Sequence, residues 1–345
     1  MVARSFDELV ASEQAFEDAV CDSADVDTFC SGHAFSVAAF SGLLPGRESR
    51  AYEVNGAGWL AFASRHAALF GDSEPRELWE PYEAMWGLGC PLIGGDVELL
   101  GVALAEVLHH DAPAATLLCC GLRAGSLRTA AIATALSPTH RLMQGSPTIR
   151  QVASLDGGVD GFLARRSARF RANIRRALRS AEQRGLAHER HAPAEADVAS
   201  LYARAVAVDD RSWKGRSSAG LRATGLYDFY ACMLPLLARH GALRMHFLVE
   251  PTPLGPVDVA YLFGGVAPGP TGTTFRGLQF AFTEGNEDKS LGNLAQYHAV
   301  ATLCEEGVRR YDLGTQVDYK RHWGELMDET LSLIAIPRGT RGRLR

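Results

Sequence analysis

Three apolar stretches, Ala242 to Glu250, Val257 to Val266 and Thr273 to Phe282, follow one another with only the turn-rich segments PTPLGP and APGPTG between them. Short proline- and glycine-containing connections of this kind join neighbouring antiparallel strands, so the region is expected to form a meander. Helical spacing follows from about Ser290 to Gly307, and two shorter strands, Arg310 to Leu313 and Thr330 to Ile336, are expected to finish the chain.

The same α/β alternation is visible upstream. Val97 to His109 has helical spacing, and the short apolar run Ala115 to Cys120, bounded by Pro113 and Gly121, has the length of a buried strand. Residues 1 to about 25 are acidic and helical in pattern, and they lead into an aromatic-rich region containing Trp59, Phe62 and Trp79 that reads as a first core. Asp160 to Gly185 is expected to be one helix, with Leu163, Ser167, Phe170, Ile174, Leu178 and Ala181 on one stripe and Gly185 as its stop. Two further helices, Asp197 to Val208 and Tyr227 to His240, flank the polar loop DDRSWKGRSSAG.

A chain of 345 residues exceeds the size at which one hydrophobic core usually stops growing, which predicts two domains, here 1–158 and 159–345. With 47% apolar and 22% charged residues it has ample material for both. A net charge of -5 argues against nucleic-acid binding by the molecule as a whole. The N-terminus lacks an apolar signal region and no stretch of eighteen uncharged apolar residues occurs, so no membrane span is expected and the cytoplasm is the expected compartment. The seven cysteines include no CxxC pair, which suits reduced thiols better than a zinc site, and no metal is expected. His188 and His191 lack the HExxH order, and neither a GxSxG elbow nor a Walker loop is present.

The start of the helix after the meander, Lys289, Ser290, Leu291, Gly292 and Asn293, is a candidate anion site. Free backbone N–H groups at a helix N-terminus attract a pyrophosphate, and Gly292 permits close approach. An ordinary N-cap serine beside a tolerated glycine is the alternative.

The segment YDLGTQVDYKRHWG, Tyr311 to Gly324, carries a family resemblance. Together with FLARRSARFRANIRRALRSAEQRG (Phe162 to Gly185) and the Ser-Trp-Lys-Gly of Ser212 to Gly215, it resembles the CelD/BcsL-type branch of the GNAT acyltransferases and the related Fem-type aminoacyl transferases. Order and spacing agree from Phe162 to Gly324, while the first half resembles the family only loosely. The sequence departs from the family at the helix start, Ser290-Leu291-Gly292, where Ser-Pro-Gly is common.

The resemblance implies two GNAT-like domains, each a mixed, mostly antiparallel sheet flanked by helices. It also implies direct transfer of an acyl group, most simply acetyl, from acyl-CoA to the amine of a small molecule or saccharide. A Fem-type donor, aminoacyl-tRNA, is the alternative, and a non-catalytic binding protein on the same fold is a third. Amine attack requires a proton acceptor, for which Asp210, Glu284, His298 and Asp312 are candidates. Asp312 reads equally as a turn cap and His298 as a packing residue. Trp213, Lys214, Tyr319 and Lys320 are candidate substrate-binding residues, the first two on a loop that reads either as a lid or as simple exposed chain. Eight arginines between Arg165 and Arg184 against the one acid Glu182 suit an anionic partner, tRNA among them, or a solvated face.

Overall fold

The computed structural model describes residues 1–69, 74–217, 219–223, 225–269, 272–285 and 290–339, in two compact units. Unit 1 comprises Met1–Thr148 and Glu329–Arg345, and unit 2 comprises Ile149–Asp328. The division falls ten residues before the expected 158/159 boundary, and the chain's last strand belongs with the first unit rather than the second.

Unit 1 contains strands β1 (Val2–Arg4), β2 (Glu48–Val54), β3 (Gly58–Ala67), β4 (Arg76–Pro81), β5 (Leu92–Ile93), β6 (Thr116–Leu122) and β7 (His140–Gln144). Its helices are α1 (Phe6–Ala11), α2 (Glu13–Cys21), α3 (His33–Leu43), α4 (Val97–Asp111) and α5 (Leu127–Leu136). Strands β1 to β4 pair antiparallel in order, and β6, reached through α4, lies parallel to β4. The apolar residues of α4, Leu100, Leu104, Val107 and Leu108, close a core with Trp79, Phe62 and Leu117. The strands β2 to β4 are absent from the sequence expectation, because their core is built from aromatics and small residues rather than from a clean period-two pattern.

Unit 2 contains β8 (Thr148–Ser154), β9 (Ala187–His191), β10 (Leu243–Thr252), β11 (Gly255–Ala267), β12 (Thr274–Phe282) and β13 (Arg310–Thr315). Helices α6 (Gly158–Ala164), α7 (Ala168–Gln183), α8 (Val198–Asp209), α9 (Leu226–Arg239) and α10 (Leu291–Glu305) connect them. The strand order is β8-β13-β12-β11-β10-β9, antiparallel except for the parallel pair β12–β13. The expected meander is β10-β11-β12, turned at its first corner by Gly255 (φ 111°) and by Thr252, whose hydroxyl donates to the Gly255 carbonyl. The last strand, β14 (Leu326–Pro337), pairs antiparallel with β6 and β7 of unit 1.

Each unit thus repeats one plan: antiparallel strands, a helix, then a strand parallel to the last of them. Both are mixed, mostly antiparallel sheets flanked by helices.

The single helix expected over Asp160 to Gly185 is two. Ser167 has extended backbone and its hydroxyl accepts from the Phe170 N–H, so it caps the second helix instead of lying on the stripe of a continuous one. Phe162 and Phe170, one from each helix, then flank Trp323, whose ring lies 6.0 Å from the first and 4.9 Å from the second. Trp323 is 4% exposed and belongs to the core of unit 2.

Candidate active site

Strands β12 and β13 pair only from Thr274↔Arg310 to Arg276↔Asp312. Beyond that point β12 continues beside β11 to Phe282, and β13 continues beside β8 to Thr315. Each follows its outer neighbour, so a gap opens between them, and the backbone groups on the facing edges are released from the ladder.

Side chains from two segments, the Lys214 loop and Tyr319–Lys320, enter this gap. The Lys214 ammonium donates to the Phe280 carbonyl at 2.8 Å and to Gln279 Oε1 at 3.0 Å, and lies 5.1 Å above the Phe280 ring. The Tyr319 ring lies 5.9 Å from the same phenyl group. Lys320, next in the chain, donates to the Thr315 carbonyl at the end of β13 at 2.9 Å. A Cβ on Gly292 would stand 3.5 Å from the Phe280 ring, so the start of α10 reaches the same residue. Phe280 is therefore the common neighbour of Lys214, Tyr319 and the helix start, although the sequence marked it only as a strand residue.

Burial lowers the pKa of Lys214. Burial also brings Lys320 down to about 8, with the positive charges of Lys214 and Arg276 adding to the effect and Asp312 opposing it. Burial pushes the Tyr319 hydroxyl up to about 12.

The loop carrying Trp213 and Lys214 is anchored at its base. Ser212 is fully buried, donates through its hydroxyl to the Asp209 carbonyl, and accepts from the N–H groups of Lys214 and Gly215. Asp209, 1% exposed, accepts from the Tyr261 hydroxyl at 2.8 Å and from the Leu221 N–H at 2.6 Å. Asp209 escaped the sequence reading, which chose its neighbour Asp210. Helical spacing could have found it, since Tyr202, Ala205 and Asp209 recur on the buried face of α8. Trp213, 54% exposed, projects outward from the loop.

The four candidate proton acceptors separate. Asp312 is buried and its carboxylate is engaged by Arg150, Arg276 and the Gly314 N–H. The last of these contacts is the turn-cap arrangement that was its alternative reading. His298 points away from the gap, toward β9 and β10, where its ring stacks on His188 at 4.5 Å, and His188 Nε2 lies 3.1 Å from His246 Nδ1. Asp210 pairs with Arg222 at 3.0 Å on the surface. Glu284 lies two residues past the end of β12, its N–H donating to the Arg211 carbonyl and its carboxylate 2.7 Å from Arg216, which places it beside the Lys214 loop.

At the helix start, Ser290 takes the left-handed conformation (φ 56°) and makes no side-chain cap, while the backbone N–H of Leu294 begins the helix by bonding the Ser290 carbonyl. The corresponding helix of unit 1, α4, is instead capped by Asp96, whose carboxylate accepts from the Leu99 N–H. A carboxylate there repels an anion, so the two equivalent helix ends differ in what they can receive. Gly292 is small for a second reason: a Cβ would stand 3.0 Å from the Phe282 ring. Lys289 lies outside the described residues.

Helix α7 presents Arg169, Arg175, Arg176 and Arg179 at its exposed face. Other arginines of this stretch are used internally: Arg165 and Arg166 pair with Glu325, and Arg184 with Glu250. Among the described residues no helix is long and apolar enough to cross a membrane, and no cluster of side chains could hold a metal ion.

Residues 168–321, most of unit 2, match the model of the acetyltransferase (GNAT) domain. The chain accordingly carries a transferase domain of the GNAT fold, the class of enzymes that move acyl groups. The whole chain is similar in fold to FemX, with a TM-score of 0.62 at 13% identity over 92% of this chain and 95% of that one. It is also similar to a conserved protein of unknown function from Bacteroides thetaiotaomicron, with a TM-score of 0.56 at 11% identity over 95% of this chain and 97% of the other. No curated protein matches the chain by sequence.

Proposed function

We propose that unit 2 is the catalytic domain of an N-acyltransferase that moves an acyl group, with acetyl as the reference case, directly from acyl-CoA to an amine. The observation that carries this reading is the gap between β12 and β13, where Lys214, Tyr319 and the start of α10 converge on Phe280. A bound acyl-CoA supplies the activated thioester carbonyl.

This chain's residues supply the rest. The N–H groups of Leu291, Gly292 and Asn293, to which the Ser290 side chain offers no cap, suit the pyrophosphate of the donor. Backbone N–H groups on the open edge of β12 are suited to polarise the carbonyl as its oxygen gains charge. Glu284 is the proton acceptor retained for the attacking amine, because it lies beside the Lys214 loop, whereas Asp312 at the base of the gap is engaged by Arg150 and Arg276. Lys214, Tyr319 and Lys320 line the acceptor side.

A second reading, an aminoacyl-tRNA donor, is favoured by the exposed arginines of α7, which suit contacts to phosphates. Calorimetric and thermal-shift titration with acetyl-CoA, desulfo-CoA and total tRNA separates the two. Saturable stabilisation by both CoA compounds, lost in Asn293→Asp, is the expected result. Absence of any shift at millimolar CoA, together with salt-sensitive tRNA binding, would replace the first reading with the second.

A further inference from the structure

Lys214 and Lys320 bring two ammonium groups into one gap, and every acceptor they have there among the described residues is neutral. Lys214 donates to a carbonyl and a side-chain amide, and Lys320 to a carbonyl. An ammonium carries three donors, so one hydrogen on Lys214 and two on Lys320 have no protein acceptor among the described residues. The nearby carboxylates are engaged elsewhere: Asp312 is held by Arg150 and Arg276, and Asp209 accepts from the Tyr261 hydroxyl and the Leu221 N–H. Two like charges, both partly removed from water and with no carboxylate bonded to either among the described residues, form a site that gains free energy when an anion enters. The flank is aromatic, with Tyr319, 44% exposed, against the Phe280 ring.

We propose that Lys214 and Lys320 together receive one oxyanionic group of the acyl acceptor, a carboxylate or a phosphate, clamped across the gap between β12 and β13. The inference rests on the reading of this gap as the acyl-transfer site, and it narrows the acceptor to an amine that also carries an acid group. Binding is coupled to a proton. The anion stabilises the charged form of Lys320, so near pH 8, where that lysine is partly neutral, the complex takes up protons from the buffer.

The test is calorimetric titration of the full chain with N-acetylglycine, N-acetylglycinamide and inorganic phosphate, in two buffers of different ionisation enthalpy. One saturable site for the carboxylate or the phosphate, no binding of the amide, and proton uptake at pH 8 are expected. The anion that binds identifies the source, a carboxylic acid or a phosphorylated acceptor. Lys214→Gln and Lys320→Gln should each weaken binding about tenfold or more, and Lys320→Arg should retain it. The acid and amide comparison on the unaltered protein stands even where a variant folds poorly. Failure of both anions to bind, or unchanged binding in both glutamine variants, overturns the proposal. Acetyl-CoA in the same series keeps the two ideas apart: if it binds while neither anion does, the transferase reading survives and the lysine receptor falls.

Discussion

Arg150 Nη1 lies 2.5 Å from Asp312 Oδ2, and Arg276 Nη2 approaches the same oxygen at 3.1 Å. All three side chains are 5% exposed or less. The pairing joins β8, β13 and β12 at the point where the last two separate, so it holds the base of the gap. Removing one member of a buried ion cluster leaves the others uncompensated, and Asp312→Asn is expected to cost about 3–5 kcal/mol of stability. Chemical denaturation measures it. A variant of wild-type stability with an isolated loss of turnover would instead return Asp312 to the catalytic role read from the sequence.

Gly292 is held small by Phe282. Gly292→Ala should destabilise the protein by about 1–3 kcal/mol through overpacking against the Phe282 ring, 3.0 Å from the added Cβ. Shortening the ring in Gly292→Ala/Phe282→Leu should recover part of that loss. If the double variant is no better than the sum of its parts, the contact does not explain the glycine. For the same reason the charge introduced by Asn293→Asp is a cleaner probe of the anion site than any substitution at Gly292, since Asn293 is only partly buried.

The stacked histidines make the protein sensitive to acid. Burial lowers His246 to about 3, His188 to about 4, and His298 below its ordinary 6.5, with Arg190 adding repulsion at the first two. The rings stay neutral in the folded chain at pH values where an unfolded histidine binds a proton. The unfolded state then binds more protons, so stability falls as pH drops from about 6.5 toward 4. In His246→Phe the urea-measured decline over this range should be shallower by up to about 1.4 kcal/mol per pH unit. An unchanged slope would remove this histidine as a cause.

Lys320 acts at the other end of the scale. Its folded pKa, about 8, lies below the ordinary 10.5, so between these values the unfolded chain holds a proton that the folded one has released. Stability should therefore rise with pH from about 8 toward 10 through this group, and Lys320→Met should flatten the rise. The partial exposure of the side chain tempers the size of the effect. A rise of the same steepness in the variant would assign it elsewhere.

Much of unit 2 was legible in the sequence because its strands are long, apolar and separated by short turns. Ala242 to Glu250, Val257 to Val266 and Thr273 to Phe282 agree with β10, β11 and β12 within a few residues. Trp213, Lys214, Tyr319 and Lys320 could be grouped by their motifs, but their meeting point could not. Phe280 carries no motif, and its position beneath Lys214 depends on β12 running on after β13 has turned aside. Asp209 and Asp210 are adjacent and chemically identical in sequence, and only the rotation of α8 buries one and exposes the other.

The sequence by itself determined the local periodicities, the turns, the helix-start candidates and the arginine-rich stretch, because each depends on residues a few positions apart. The tertiary structure decided which carboxylates are spent on arginines, where His298 points, which unit receives β14, and that Lys214 and Lys320, distant in the chain, share one gap. Burial and charge pairing are set by neighbours in space. No local pattern encodes which strand edge is left open or which ammonium group will face it.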